Sequence, residues 1–143
     1  MAAEYSYPLA QTVAEDENII FLDGERACRK GYITHRSGSG VFRLKGAGNA
    51  CKTVYRVTFN ANIAVAAGGT VGAISVALQE DGETLQNAIA TVTPTVAETF
   101  FNVSLTTFIT IPCGCCVTVS VENISDGTAI DVTNSNIIFD RVA

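Results

Sequence analysis

The sequence predicts an all-β sandwich or barrel, and three observations carry that expectation. From Cys51 onward apolar and polar residues alternate with period two over long stretches, as in strands with one face in a core. Turn-forming residues punctuate the runs at Gly68-Gly69, Asp81-Gly82, Pro94, Asn123–Gly127 and Asn134–Asn136, which limits each run to strand length. No segment sustains the 3.6-residue apolar period of a helix. A chain of 143 residues, 48% of them hydrophobic, is long enough to bury one core without staples.

Residues 1–17 are polar and acidic with no sustained period, and read as an extended N-terminal arm. The domain proper then spans 18–143. Its first strand is expected over Asn18–Leu22, ended by Asp23-Gly24. Gly31, Gly38 and Gly40 frame turns around a short strand near Tyr32–Thr34, and Val41–Lys45 is another short strand. Cys51 to Val65 puts Thr53, Tyr55, Val57, Phe59, Ala61, Ile63 and Val65 on one face. Val71–Gln79 and Leu85–Val92 flank Asp81-Gly82, a strong hairpin signal. In Phe100–Ile111 the residues Phe101, Val103, Leu105, Ile109 and Ile111 share the core parity. Phe100 and Phe108 fall among Asn102, Ser104, Thr106 and Thr110 on the opposite face, where two aromatics need cover from a neighbouring subunit or a crossing loop. Val117–Glu122, Ala129–Thr133 and Ile137–Val142 complete about 8–10 antiparallel strands. Strands in this number and order cannot pair only locally, so a Greek-key or jelly-roll path is expected rather than a meander.

Charge is sorted along the chain. Arg26 to Arg56 holds eight basic residues and no acid, whereas Val57 to Asp140 holds eight acids and no lysine or arginine. Only 16% of residues are charged, a low value for a monomer surface, which favours assembly. The basic residues Arg26, Arg29, Lys30, Arg36, Arg43 and Lys45 form a candidate docking face for an acidic protein surface. A net charge of -5 argues against nucleic acid as a partner. No apolar run is long enough to cross a membrane as a helix, and the N-terminal residues lack the positive and apolar regions of a signal peptide.

Residues that could carry chemistry are few. Cys113, Cys115 and Cys116 follow Pro112 in an order that suits paired zinc ligands poorly, and read as small buried residues at a turn between strands. His35 is the single histidine and reads as a solvated loop residue, leaving general acid–base work without its usual group. Glu15-Asp16-Glu17 and Glu80-Asp81-Gly82-Glu83 lack calcium-loop spacing. Asn102-Val-Ser104 and Asn123-Ile-Ser125 are chance glycosylation sequons in a chain without a secretion signal. No glycine pattern supports nucleotide binding. No catalytic residue, cofactor or metal is expected, and the chain reads as a non-enzyme.

The segments Y55RVTFNANIAVA66, I74SVALQEDGETL85 and V117TVSVENISDGTAIDVTNSNIIFDRVA143 resemble the jelly-roll heads of the tumour-necrosis-factor and complement globular-head superfamily. More narrowly they look like its bacterial and bacteriophage members, over residues 16–143. The resemblance implies a homotrimer with one sheet packed about a threefold axis, for which Tyr55, Phe100 and Phe108 are the interface candidates. It further implies a virion structural protein, made in the host cytoplasm, that decorates a capsid or forms a head fibre. The partners would be further copies of itself and a major capsid or fibre protein, with residues 1–17 as a strap. A host glycan- or receptor-binding head is the alternative.

Overall fold

The computed structural model describes residues 2–26, 32–46 and 51–143. Eleven strands run through these residues: β1 (Ala2–Tyr7), β2 (Gln11–Val13), β3 (Leu22–Arg26), β4 (Ile33–His35), β5 (Val41–Lys45), β6 (Lys52–Val65), β7 (Ile74–Glu80), β8 (Glu83–Val92), β9 (Phe101–Pro112), β10 (Cys116–Asn123) and β11 (Ile130–Arg141). They form two antiparallel sheets. The first has the order β3-β1-β11-β6-β9, with β2 also paired to β11; the second has the order β4-β5-β10-β7-β8. The chain changes sheet between β3 and β4, β5 and β6, β6 and β7, β8 and β9, β9 and β10, and β10 and β11, which is the jelly-roll path the strand count demanded.

The alternation in β6 and β9 translates directly into burial. In β6 Thr53, Tyr55, Val57, Phe59, Ala61 and Ile63 point into the sandwich, while Lys52, Arg56 and Asn60 are exposed. Between the sheets Tyr5, Phe21, Phe42, Phe59 and Phe139 form an aromatic centre, with Phe42 at 4.9 Å from the rings of both Tyr5 and Phe139. Each such ring stabilises the fold by roughly 2–3 kcal/mol through burial, and tilted pairs add up to about 1 kcal/mol. Asp81 and Gly82 both adopt positive φ (52° and 83°), the two-residue geometry that closes β7 onto β8 without splaying the strands.

Four expectations are corrected here. Of the expected arm over residues 1–17, the described part, residues 2–17, does not hang free: β1 lies between β3 and β11, β2 pairs β11, and Ala3, Tyr5 and Val13 are buried. Their polar composition hid a strand whose inward face in β1 is only Ala3 and Tyr5. The expected strand over Asn18–Leu22 is instead a crossing segment that buries Ile19 and Phe21, with an isolated bridge at Asn18, and β3 begins only at Leu22. The expected strands Ala129–Thr133 and Ile137–Val142 are one strand, β11, continued through a bulge at Thr133–Asn136 where Asn134 takes φ 55°. The bulge faces the gap between β1 and β2, and Asn134 and Ser135 bond the carbonyls of Pro8 and Tyr7 there. His35 is not a loop residue: it ends β4, its ring stacks on Phe42 at 4.3 Å, and its Nε2 lies 2.8 Å from the Ser39 carbonyl.

Candidate assembly face

The outer face of the first sheet is built in cross-strand rows. Arg56 on β6 is flanked by Phe108 on β9 and Asp140 on β11, Thr58 by Thr106 and Ile138, Asn60 by Ser104 and Asn136, and Asn62 by Asn102 and Thr133. On β1 the rows at Asp140, Ile138 and Asn136 continue to Ala2, Glu4 and Ser6. Strand periodicity produces this set on β1, β6 and β9, and on β11 the bulge at Thr133–Asn136 keeps Thr133 on the face of Asn136, Ile138 and Asp140.

The rows differ in chemistry. At one end Phe108 is 62% exposed beside the Arg56–Asp140 ion pair, whose Nη2···Oδ2 distance is 2.8 Å. At the other end the asparagines bond one another: Asn102 Nδ2 donates to Asn60 Oδ1 at 2.9 Å and Asn62 Oδ1 at 3.1 Å, and Asn62 Nδ2 donates to Asn134 Oδ1 at 3.3 Å. Those bonds hold the amides flat against the sheet. In the Asn60 row Asn136 Oδ1 is buried and accepts no hydrogen bond within the described residues.

The three interface candidates separate. Phe108 and Phe100 are exposed, as their parity in the sequence required. Tyr55 is 0% exposed, and its hydroxyl donates to the Lys45 carbonyl at 3.1 Å, so it belongs to the core and not to any interface. Its own place in the β6 alternation already pointed inward. Phe101, expected in the core, is exposed because it sits at the start of β9 on the sheet edge.

The basic stretch is divided between the sheets. Arg43 and Lys45 project from the outward face of β5 and Arg36 follows β4, all exposed on the second sheet. Arg26 closes β3 in the first sheet, and Arg29 and Lys30 lie outside the described residues. The charge sorting of the sequence is undone where Arg56 meets Asp140, because β6 and β11 are neighbours in space though far apart in the chain. What remains of the docking face is Arg36, Arg43 and Lys45. Arg43 also donates from Nε and Nη2 to Cys116 Sγ at 3.2 and 3.0 Å.

The cysteines depart from expectation. Cys51, Cys113, Cys115 and Cys116 are exposed, not buried: Cys113 and Cys115 lie in the turn between β9 and β10, Cys116 opens β10, and Cys51 precedes β6. Among the described residues no group of three or more His, Cys, Asp or Glu side chains is arranged to hold a metal ion. Of the two sequons, Asn102 is exposed but committed to the amide ladder. Asn123 is fully buried, its Nδ2 donating to the Val13 and Thr128 carbonyls at 3.0 Å and its Oδ1 accepting from Ser125 N–H at 3.0 Å. It ties β2 to the β10–β11 turn. Sequence reasoning passed over both asparagine sets; the signal for the ladder was the Asn60-x-Asn62 alternation opposite Asn102.

No protein-family model and no curated protein matches the sequence. The shape does have relatives among solved structures. The structure of the Eiger tumour necrosis factor of S. frugiperda superposes with a TM-score of 0.72 at 14% identity, covering 100% of this chain and 92% of that one. The globular domain of the zebrafish complement 1qA protein superposes at 0.54 and 11% identity, covering 99% and 94%. The fold is the tumour-necrosis-factor-like jelly roll. At this identity the likeness concerns the path of the chain over its whole length, from β1 to β11. It leaves the side chains of the outer face to be read for themselves.

Proposed function

We propose that the protein is a non-enzymatic structural protein. Its jelly-roll heads associate as a homotrimer through the outer face of the β3-β1-β11-β6-β9 sheet, and it serves in a bacteriophage virion as a capsid-decoration or head-fibre protein. The observation that carries the assembly reading is Phe108, a large aromatic 62% exposed at the centre of an edge strand. Covering the exposed part of that ring is worth about 3 kcal/mol per protomer by area. The low charged fraction of the whole chain supports it.

Three protomers rather than two follow from the likeness to tumour-necrosis-factor and complement heads. The virion role rests on the resemblance that residues 55–66, 74–85 and 117–143 bear to phage members of that class. Light scattering on the purified chain is expected to return three times the 15.0 kDa protomer mass, and Phe108→Asp to return the protomer mass with an unchanged circular dichroism spectrum. A wild-type monomer at micromolar concentration overturns the trimer. The virion role is tested by co-sedimentation with purified capsids, with Arg43→Glu/Lys45→Glu expected to lose binding; absence of binding by wild type refutes it.

A further inference from the structure

We propose that Cys51 and Cys113 form an intrachain disulfide across the β6–β9 end of the sandwich, a modification site for oxidised low-molecular-weight thiols. The β6–β9 register runs to Lys52 opposite Pro112. One position further out, Cys113 N–H donates to the Cys51 carbonyl at 3.2 Å, so the two cysteines face each other across the strands. Hydrogen-bonded antiparallel partners have Cα atoms about 5.5 Å apart, inside the roughly 4.4–6.8 Å that a disulfide spans. Opposed residues of a ladder also project from the same face. Both cysteines are exposed, so an oxidant reaches them.

The neighbouring cysteines are held apart from this pair. Cys115 is fixed in the turn, its N–H donating to the Pro112 carbonyl and its own carbonyl accepting from Gly46. Cys116 opens β10 in the other sheet, where the Arg43 guanidinium engages its sulfur. With glutathione disulfide as oxidant, the Cys113 thiolate attacks one sulfur, the glutathione S–S bond breaks and one glutathione thiolate leaves. The Cys51 thiolate then attacks the Cys113 sulfur of the mixed disulfide and expels the second glutathione. Two electrons pass to the glutathione disulfide, and the two protons lost by the cysteines end on the two glutathiones.

The full chain is incubated with glutathione disulfide and its peptides are mapped without reduction. The expected result is a Cys51–Cys113 cross-linked peptide, loss of two alkylatable thiols, and a melting midpoint raised by roughly ten degrees, since the bond closes a loop of about 60 residues. Dithiothreitol should reverse the shift. Cys51→Ser and Cys113→Ser should abolish it, and Cys116→Ser should leave it. The map on wild type stands without the variants. A different pairing, including one to Cys28, a covalent dimer on a non-reducing gel, or Cys51 and Cys113 that both remain alkylatable overturns the proposal.

Discussion

Replacing Asn123 with alanine removes a side chain that joins β2, the end of β10 and the turn leading to β11. Its backbone bonds remain: Asn123 N–H still donates to the Glu17 carbonyl and its carbonyl still accepts from Asp16. Three side-chain bonds disappear, two donated to Val13 and Thr128 and one accepted from Ser125. The site is fully buried, so a partner left behind loses its bond without gaining water. At about 1 kcal/mol net per bond, with unsatisfied buried partners pushing the figure up, the cost is about 3 kcal/mol. Asn123→Asp should cost at least as much, since a carboxylate oxygen would then face two carbonyl oxygens in place of an amide N–H. Urea titration at fixed protein concentration measures this; with m of about 1–3 kcal/mol/M the midpoint should fall by roughly 1–3 M. A loss for Asn123→Ala below about 1 kcal/mol, at unchanged m, refutes the claim that this asparagine is a structural tie.

Two further outcomes follow from the same geometry. Glu122 has its pKa raised above the ordinary 4.5, first by burial and then by the nearby Asp16 charge, against a hydrogen bond with Gln79 that lowers it. A carboxyl with a raised folded pKa favours the fold when protonated, and that contribution is lost as pH climbs from about 4.5 through the folded value. Glu122→Gln should therefore gain on wild type between pH 4 and pH 7 in parallel thermal melts; a difference that is flat with pH contradicts the assignment. A Cβ added to Gly40 would lie 2.7 Å from Asn18 Cβ and 2.8 Å from the Ile19 carbonyl oxygen, so Gly40→Ala must push the crossing segment off the turn. A loss of about 1–3 kcal/mol in chemical denaturation is expected, and a neutral substitution would show that this segment yields freely.

Particular elements show why some of this was readable in the sequence. β6 and β9 were legible because each buries one face over a dozen or so residues, and a period-two pattern that long has no other physical explanation. The β7–β8 hairpin was legible because Asp81-Gly82 is local chemistry. β1 was not, since Tyr5 and Ala3 carry its inward face and its partners β11 and β3 come from distant positions. The bulge that joins both halves of β11 was read as a turn, because Asn134-Ser135-Asn136 suits either conformation. Of the assembly face, the exposure of Phe100 and Phe108 followed from parity, whereas the amide ladder needed the register between β6, β9 and β11.

The sequence by itself determined that this is an all-β chain, which faces of its long strands go inward, and that Phe108 stands outside. Those are consequences of side-chain alternation within single strands. Only the tertiary structure decided that the N-terminal residues are sheet, that the Tyr55 hydroxyl meets the Lys45 carbonyl, and that Arg56 meets Asp140. The same pairing of distant strands brought Cys51 opposite Cys113. Each of these depends on which strand lies beside which, and that is set by how two sheets close over one core.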